Sequence, residues 1–373
     1  MMTFSKLTIV TQHVLLFWTL KNRLMNRRAA RCRLVTFSHF KPLNTKIMEQ
    51  QRARRIARRT ISEKVIFGFG VTRAALAILL LSGTLCQATI VGSFNIRYDN
   101  PKDASNGDGW QERAPVIASL IRFHRFDVLG IQEAYAHQVD KLQSLLPAYA
   151  HTGCGRDDGK SAGEFAAIFY RKERYALKNS GTFWLSQTPE MPSVGWDAKL
   201  MRICTWVELE DIKNQETLFV FNTHFDHQGT VARLESARLI LKSIRAIAAD
   251  QPLVLVGDFN VDQNSEGYKI IQEATFLDDA FETAEEKYDL NGTMNGFKVN
   301  AYTDRRIDHI FHSPAFKVLR YGVLTDSYRA PSKQVEASES SSTAFPKELK
   351  FKNYEARLPS DHFPILVELE SPR

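Results

Sequence analysis

The feature that most constrains this 373-residue chain is a series of short apolar segments, each bounded at one end by a side chain that can hold a proton or a metal ion. Leu253–Val256 is the clearest case. Four aliphatic residues between Pro252 and Gly257 have the length and branching of a buried strand, and Asp258-Phe259-Asn260 follow at once. About a hundred residues later, Ser360-Asp361-His362 stand just before Pro364–Leu369, which reads as a strand beginning past the motif. The pattern recurs at Asn95 in the strand Thr89–Tyr98, at Glu133 after Asp127–Gln132, at Asn222 and His224 closing Leu218–Thr223, and at Asp308-His309 in Ile307–His312. In layered sheet proteins such strand ends converge on one edge and build a site there. Any one of these residues alone would pass as a solvated loop acid or a turn-forming Asn. Six together are hard to explain as packing.

Helical spacing is present at Glu112–Phe123, Gln138–Leu146 and Val231–Ala249, where Leu234, Ala237, Leu241 and Ile244 form the apolar stripe. Strands alternate with these helices, but several follow each other directly. This predicts a mixed sheet, or two sheets, inside one α/β domain spanning 89–373. No Gly-rich phosphate fingerprint follows the first strand, and there are no internal repeats. Residues 327–357, with the serine run 338–342 and scattered charge, read as a flexible surface insertion.

The formal charge of +7 invites a nucleic-acid reading that its distribution removes. Residues 1–88 hold 16 of the 49 Lys and Arg but 2 of the 42 acids, Glu49 and Glu63. The remaining 33 basic and 40 acidic residues leave the body at −7, with no global basic footprint for a polyanion. The N-terminal 88 residues read as an extension carrying an export signal. Ala74–Leu85 is an apolar run of signal-core size, too short for a comfortable span. Arg-rich sequence precedes it, and Cys86-Gln87-Ala88 suits cleavage after Ala88. An uncleaved apolar anchor reaching back to Val65 is the alternative. An exported protein, periplasmic or secreted, is therefore expected, with membrane contact only through that segment. Beyond it only Cys154 and Cys204 remain, which excludes a disulfide scaffold. Whether those two pair is open at this level. With no Cys/His cluster, a structural zinc site is not expected.

The residue types select the chemistry. Carboxylates and amides are hard oxygen ligands that suit Mg²⁺ or Mn²⁺. Phosphoester hydrolysis needs charge neutralisation on the phosphoryl oxygens, an oriented water and a protonated leaving group. Glu133 is the natural direct metal ligand, and histidines beside carboxylates can be held as imidazolium or as an oriented base. No G-x-S-x-G elbow supports a serine esterase.

With these motifs in order, S-F-N-I-R at 93–97, I-Q-E at 131–133, N-T-H at 222–224, G-D-F-N at 257–260, R-I-D-H-I at 306–310 and S-D-H at 360–362, the chain resembles the endonuclease/exonuclease/phosphatase superfamily over nearly all of 90–370. The relatives include deoxyribonuclease I, abasic-site endonucleases, deadenylase catalytic domains, neutral sphingomyelinases and inositol polyphosphate 5-phosphatases. The resemblance implies a four-layer α/β sandwich of two packed mixed sheets flanked by helices. It implies that Asn95, Glu133 and Asp361 lie at the metal, and that Asp258 orients or deprotonates the attacking water. Asn260 would hold Asp258 and the phosphate, His362 would contact the scissile phosphate in partnership with Asp308, and His224 would be the other catalytic imidazole, with Asn222 lining the site.

Further segments, including Gly155–Lys160, Gly181–Ser186 and Gly195-Trp196-Asp197, resemble an exported bacterial subgroup of unsettled substrate. Arg156 and Lys160 on a Gly-rich loop, with Arg97 and Arg202, are candidate anion binders; solvated loop positions are the alternative. Asp226 and His227 either shape the pocket or cap the helix that starts near Val231. Trp184 and Trp196 suit core packing or stacking on a sugar or base.

The expected activity is metal-dependent phosphoester hydrolysis, with phosphodiesters ahead of phosphomonoesters on family breadth. A sugar or inositol phosphatase, a secreted nuclease and an inactive binding module of the same fold are the alternatives. A monomer acting on a phosphoester is expected.

Overall fold

The computed structural model describes residues 88–288, 290–332 and 352–371. The apolar run 74–85, and most of the N-terminal segment on which the export expectation rests, lie outside them. The chain begins with β1 (Thr89–Asn95), α1 (Pro101–Asn106), α2 (Trp110–His124), β2 (Val128–Ala134), α3 (Ala136–Leu145), β3 (Tyr149–Thr152) and β4 (Phe165–Arg171). Next come β5 (Tyr175–Trp184), β6 (Ile203–Asp211), β7 (Thr217–His224), α4 (Thr230–Ala248), β8 (Leu253–Asp258), α5 (Glu266–Gln272), β9 (Asp278–Asp279), α6 (Ala280–Thr283) and β10 (Glu286–Tyr288). The last elements are β11 (Asp308–His312), β12 (Lys317–Val323), β13 (Tyr328–Pro331), β14 (Tyr354–Arg357) and β15 (Ile365–Glu370).

Two mixed sheets result. One has seven strands in the order β10-β12-β15-β1-β2-β4-β3, and the other has six in the order β5-β6-β7-β8-β11-β9. Side chains alternate across a strand, so each strand feeds two cores. Val254 and Val256 of β8 join Val220, Ile310, Val91, Val128 and Ile168 in a core shared by both sheets. Leu253 and Leu255 point the other way, onto Ala237, Ile240 and Ile244 of α4 and Ile271 of α5. Phe94, Leu129 and Phe169 of the larger sheet likewise pack on Ala114, Ile117 and Ile121 of α2 and on Val139 and Leu142 of α3. The order of layers is helices, sheet, sheet, helices, which is the four-layer sandwich expected.

The predicted helices 112–123, 138–146 and 231–249 are α2, α3 and α4 with ends moved by a residue or two. The predicted insertion 327–357 is in part ordered: its two ends pair as an antiparallel ribbon, Tyr328↔Arg357 through Pro331↔Tyr354. Residues 333–351 of it lie outside the described residues. Cys154 and Cys204 are both free thiols.

Asn222 and Gln132 bridge the sheets within the shared core. Asn222 Nδ2 donates to the Ile131 and Ala167 carbonyls (both 2.9 Å), and its Oδ1 accepts from Gln132 Nε2 (2.7 Å). Gly130 lies opposite this bridge, and a Cβ there would sit 2.5 Å from Val256 Cγ2 and 2.7 Å from Asn222 Cγ. Overpacking of this kind typically costs about 1–3 kcal/mol. Gly130→Ala should therefore lower the chemical-denaturation midpoint by that equivalent, and an unchanged midpoint would contradict the close sheet contact.

Candidate active site

The same alternation that aims Val254 and Val256 into the shared core aims Asp258 there as well, two positions past the apolar run. Strand pairing then gathers the remaining groups. β7 runs parallel to β8 with His224 opposite Asp258, and β11 runs antiparallel with Asp308 opposite Asp258. In the other sheet, β1 and β2 run parallel with Asn95 opposite Gln132, and β15 enters antiparallel just after Asp361 and His362. All six motifs thus reach one edge of the inter-sheet core.

Asp258 is the hub. Asn95 Nδ2 donates to Asp258 Oδ2 and to Glu133 Oε1, both at 3.0 Å. The Asn260 backbone N–H holds Asp258 Oδ1 at 2.9 Å. His224 Nε2 lies 3.5 Å and His362 Nε2 3.9 Å from Asp258 Oδ2. His362 Nδ1 donates to Asp308 Oδ2 at 2.9 Å. Glu133 Oε2 accepts from the Tyr98 backbone N–H at 3.2 Å. Arg97, Glu133 and Asn260 all have left-handed backbones, with φ of 58°, 67° and 49°. Non-glycine residues adopt that region at a cost, and it clusters where surrounding structure fixes a functional geometry.

Burial sets the protonation states. The Asp258 carboxyl is pushed up to about 7 by burial and by the nearby Asp308 charge, against the pull of His362 and Asn95. Burial also raises Asp361, with the Glu133 charge adding to it and His362 and Arg97 opposing. Burial disfavours the His362 cation, but Asp308, its hydrogen bond, and Asp258 outweigh this and hold it well above the ordinary histidine range. His224 goes the other way, lowered by burial and by the Arg202 and Arg156 cations. Its Nε2 accepts from Asn260 Nδ2 at 3.2 Å, which assigns the ring proton to Nδ1, 3.8 Å from Glu164 Oε2.

These residues fit a hard divalent cation. Ligand atoms of Glu133, His224 and Asp258 all lie within 4.8 Å of one another, with the Asn95 amide between the two carboxylates. Asp258 and Asp361 are buried acids held above their usual range in part by like charge, a cost that a cation would remove. Glu133, an expected ligand, belongs to the group with His224 and Asp258; Asn95, the other, turns its Nδ2 donor to the two carboxylates while its Oδ1 accepts from the Arg97 N–H at 3.0 Å. Asp361 is engaged by Arg97, whose Nη1 lies 3.3 Å from Asp361 Oδ2 while its Nε donates to Asp103 at 2.9 Å.

Other expected substrate contacts resolve differently. Asn222 does not line the site: it is fully buried and spends its amide on the bridge between sheets. Asp226 is a loop fastener, accepting from the Leu200, Gln228 and Gly229 backbone N–H groups and from Arg202 Nε. Capping of α4 falls instead to Asp197, which accepts from the Val231 and Ala232 N–H groups. Arg156 is clamped to Glu164 through two bonds of 2.6 and 3.1 Å. Trp184 is a packing residue that donates to the Arg156 carbonyl. Half-exposed His227 accepts from Arg202 Nη2 at 3.0 Å.

Two residues were missed in the sequence. Glu164, raised to about 7 by burial with Arg156 opposing, stands directly before the apolar run Phe165–Tyr170, the same signal that marked the other motifs. Arg113 falls on the apolar stripe of α2 with Ile117 and Ile121, a charge where the spacing calls for a hydrophobe. Fully buried, it donates to the carbonyls of Asp108, Ile96, Pro359 and Arg97, and so ties the loop after Asn95 to the approach of Asp361.

With this geometry in hand, comparison with known proteins gives a consistent result. The Endonuclease/Exonuclease/phosphatase family model matches residues 92–362. An endonuclease/exonuclease/phosphatase family protein of Bacteroides thetaiotaomicron is 44% identical, covering 76% of this chain and 98% of its own, with a TM-score of 0.70. A mannosyl-6-phosphatase of the same organism is also 44% identical, covering 75% and 99%, with a TM-score of 0.69. A Bacteroides vulgatus endonuclease/exonuclease/phosphatase is 35% identical, covering 76% and 99%, with a TM-score of 0.64. From the strand that carries Asn95 to the turn that carries His362, the chain belongs to the endonuclease/exonuclease/phosphatase family, whose members are metal-using phosphoester hydrolases.

Proposed function

We propose that this protein is a Mg²⁺- or Mn²⁺-dependent phosphatase that hydrolyses the terminal phosphate of a sugar phosphate. The observation that carries hydrolysis is the opposition of Asp258 to the His362–Asp308 pair across less than 4 Å. The preference for a monoester on a sugar is supported by the mannosyl-6-phosphatase, 44% identical over 99% of its own length. The sequence lean toward diesters rested on the breadth of the family alone. A duplex-binding nuclease fits less well, because phosphate contacts along a polyanion need clustered Lys and Arg and the body is net acidic.

A divalent ion, which Glu133 would hold beside Asn95 and Asp258, would supply charge neutralisation at the phosphoryl group. Protein groups do the rest. The Asn260 N–H fixes Asp258 Oδ1, and Oδ2, which accepts from Asn95, is the oxygen that faces the site and would take the proton of the attacking water. His362, kept cationic by Asp308, offers Nε2–H to a phosphoryl oxygen on the same side. His224 is neutral and accepts from Asn260, which sets its orientation and leaves Nδ1–H toward Glu164.

Glu133→Gln and His362→Ala should each lower kcat/KM on mannose 6-phosphate and p-nitrophenyl phosphate about hundredfold or more, the usual scale for such groups. Circular dichroism should show the fold retained, and near-wild-type turnover by either variant would remove its residue from the chemistry. EDTA should silence the enzyme, and Mg²⁺ or Mn²⁺ should restore it; full activity in chelator would exclude metal dependence.

The chelated protein should also show a defined pH response. Asp258 and Glu164 lie near 7 when folded against ordinary values of 3.8 and 4.5, so the folded state binds more protons between those limits and loses stability as pH rises through them. Raised His362 has the same sign, its contribution fading as pH climbs above the ordinary value of 6.5. Lowered His224 has the opposite sign, but only below that value. Tm in chelator should fall between about pH 6.5 and 8, and Mg²⁺ should raise Tm more at the higher pH. A Tm that climbs over that interval would contradict the assigned shifts.

A further inference from the structure

Beside His224, between the starts of β4 and β6, lies a small pocket that the steps above do not use. Glu164, Arg202 and His224 line it with Arg156, against walls of Phe165 and Ile203. It leaves about 10 Å³ for the centre of a water-sized guest, roughly the space of one such molecule. Arg202 is 3% exposed; its Nε faces Asp226 and its Nη2 reaches His227, but its Nη1 has no hydrogen-bond partner. A buried guanidinium N–H without a partner is unfavourable, and such a group calls for a guest. Each Glu164 oxygen accepts once, from Arg156, and retains further acceptor capacity.

The pocket's lining thus combines two guanidinium groups, Arg156 and Arg202, with the acceptor Glu164, a set that suits one oxygen-sized group able to donate and accept. A phosphoryl oxygen only accepts and would give Glu164 no donor. An ammonium only donates and would meet two guanidinium groups. A hydroxyl does both. His224 joins the pocket to the reacting end, with Nδ1 at 3.8 Å from Glu164 and Nε2 at 3.5 Å from Asp258.

We propose that Arg202 and Glu164 hold one hydroxyl of the substrate's leaving group and so select polyhydroxylated phosphate esters over simple ones. The inference rests on the phosphatase reading and extends it to the leaving-group side of the same site.

The test compares kcat/KM for mannose 6-phosphate, its monodeoxy analogues and p-nitrophenyl phosphate in wild type, Arg202→Met and Glu164→Gln. The ratio of mannose 6-phosphate to p-nitrophenyl phosphate should fall about tenfold or more in both variants, the scale of a hydrogen bond to a charged group, and chiefly through KM. One deoxy analogue should show a similar loss with wild type and no further loss with either variant. An unchanged ratio, or equal losses on both esters, would overturn the inference and leave the pocket to a resident water. If Arg202→Met does not fold, the isosteric Glu164→Gln decides alone. If wild type hydrolyses no phosphomonoester, the functional reading fails. The pocket is then tested by calorimetric titration of the Mg²⁺-loaded protein with mannose 6-phosphate and inorganic phosphate. Tighter binding of the sugar phosphate in wild type, lost in both variants, would support the pocket, and equal affinities would refute it.

Discussion

Everything in this molecule turns on where the shared core between the two sheets stops. Strand alternation commits every second side chain of β1, β2, β7, β8 and β11 to that core, and the commitment does not lapse when the sequence changes from valine to aspartate. Val254, Val256 and Asp258 occupy one face of one strand; so do Val220, Asn222 and His224, and so do Ile310 and Asp308. The apolar part of each face glues the sheets, and the polar part is carried into a setting that strands alone would never stabilise. The site is thus the unsatisfied rim of a hydrophobic core, and its groups have almost no freedom to move away from one another.

That confinement generates the electrostatics. Asp258 and Asp308, opposite one another across β8 and β11, cannot both be comfortably ionised in such a place, and the arrangement answers with one cation, His362, between them. The second imidazole, His224, sits closer to Arg202 and Arg156 and is driven neutral. Two histidines within 4 Å of the same carboxylate oxygen therefore differ in charge, one cationic and one neutral. The crowding of the half-buried Glu133 and the buried Asp258 and Asp361 carboxyls has the character a hard cation requires. The left-handed turns at Arg97, Glu133 and Asn260 are held by the same network, since Asn95, Tyr98 and Asp258 bond across them.

Much of this was legible in the sequence, for a physical reason. A continuous aliphatic run ended by a carboxylate or amide is rare unless the strand is buried and its end is used, and Asn95, Glu133, Asp258, Asp308 and Asp361 all carried that mark. The fold class followed from helices that separate some strands and not others. Most of what escaped lacked a local signature. β5 has a mostly half-exposed middle and so no apolar run to announce it. Asn222 has the same local setting as Asp258, and only the facing sheet, two carbonyls and Gln132, makes it a strut. Arg113 and Glu164 did carry signals, a charge in an apolar stripe and a charge before an apolar run, that pass easily for solvated positions. The ribbon of β13 and β14 joins segments more than twenty residues apart, a pairing that no periodicity records.

The claim on which this picture stands is that one edge of the core holds a cationic and a neutral histidine side by side. Nitrogen-15 NMR of the imidazoles in the metal-free protein at neutral pH measures this directly. His362 should give the shifts of a doubly protonated ring, and His224 those of a neutral ring protonated at Nδ1. A neutral His362, or a cationic His224, would contradict the electrostatic account of the site.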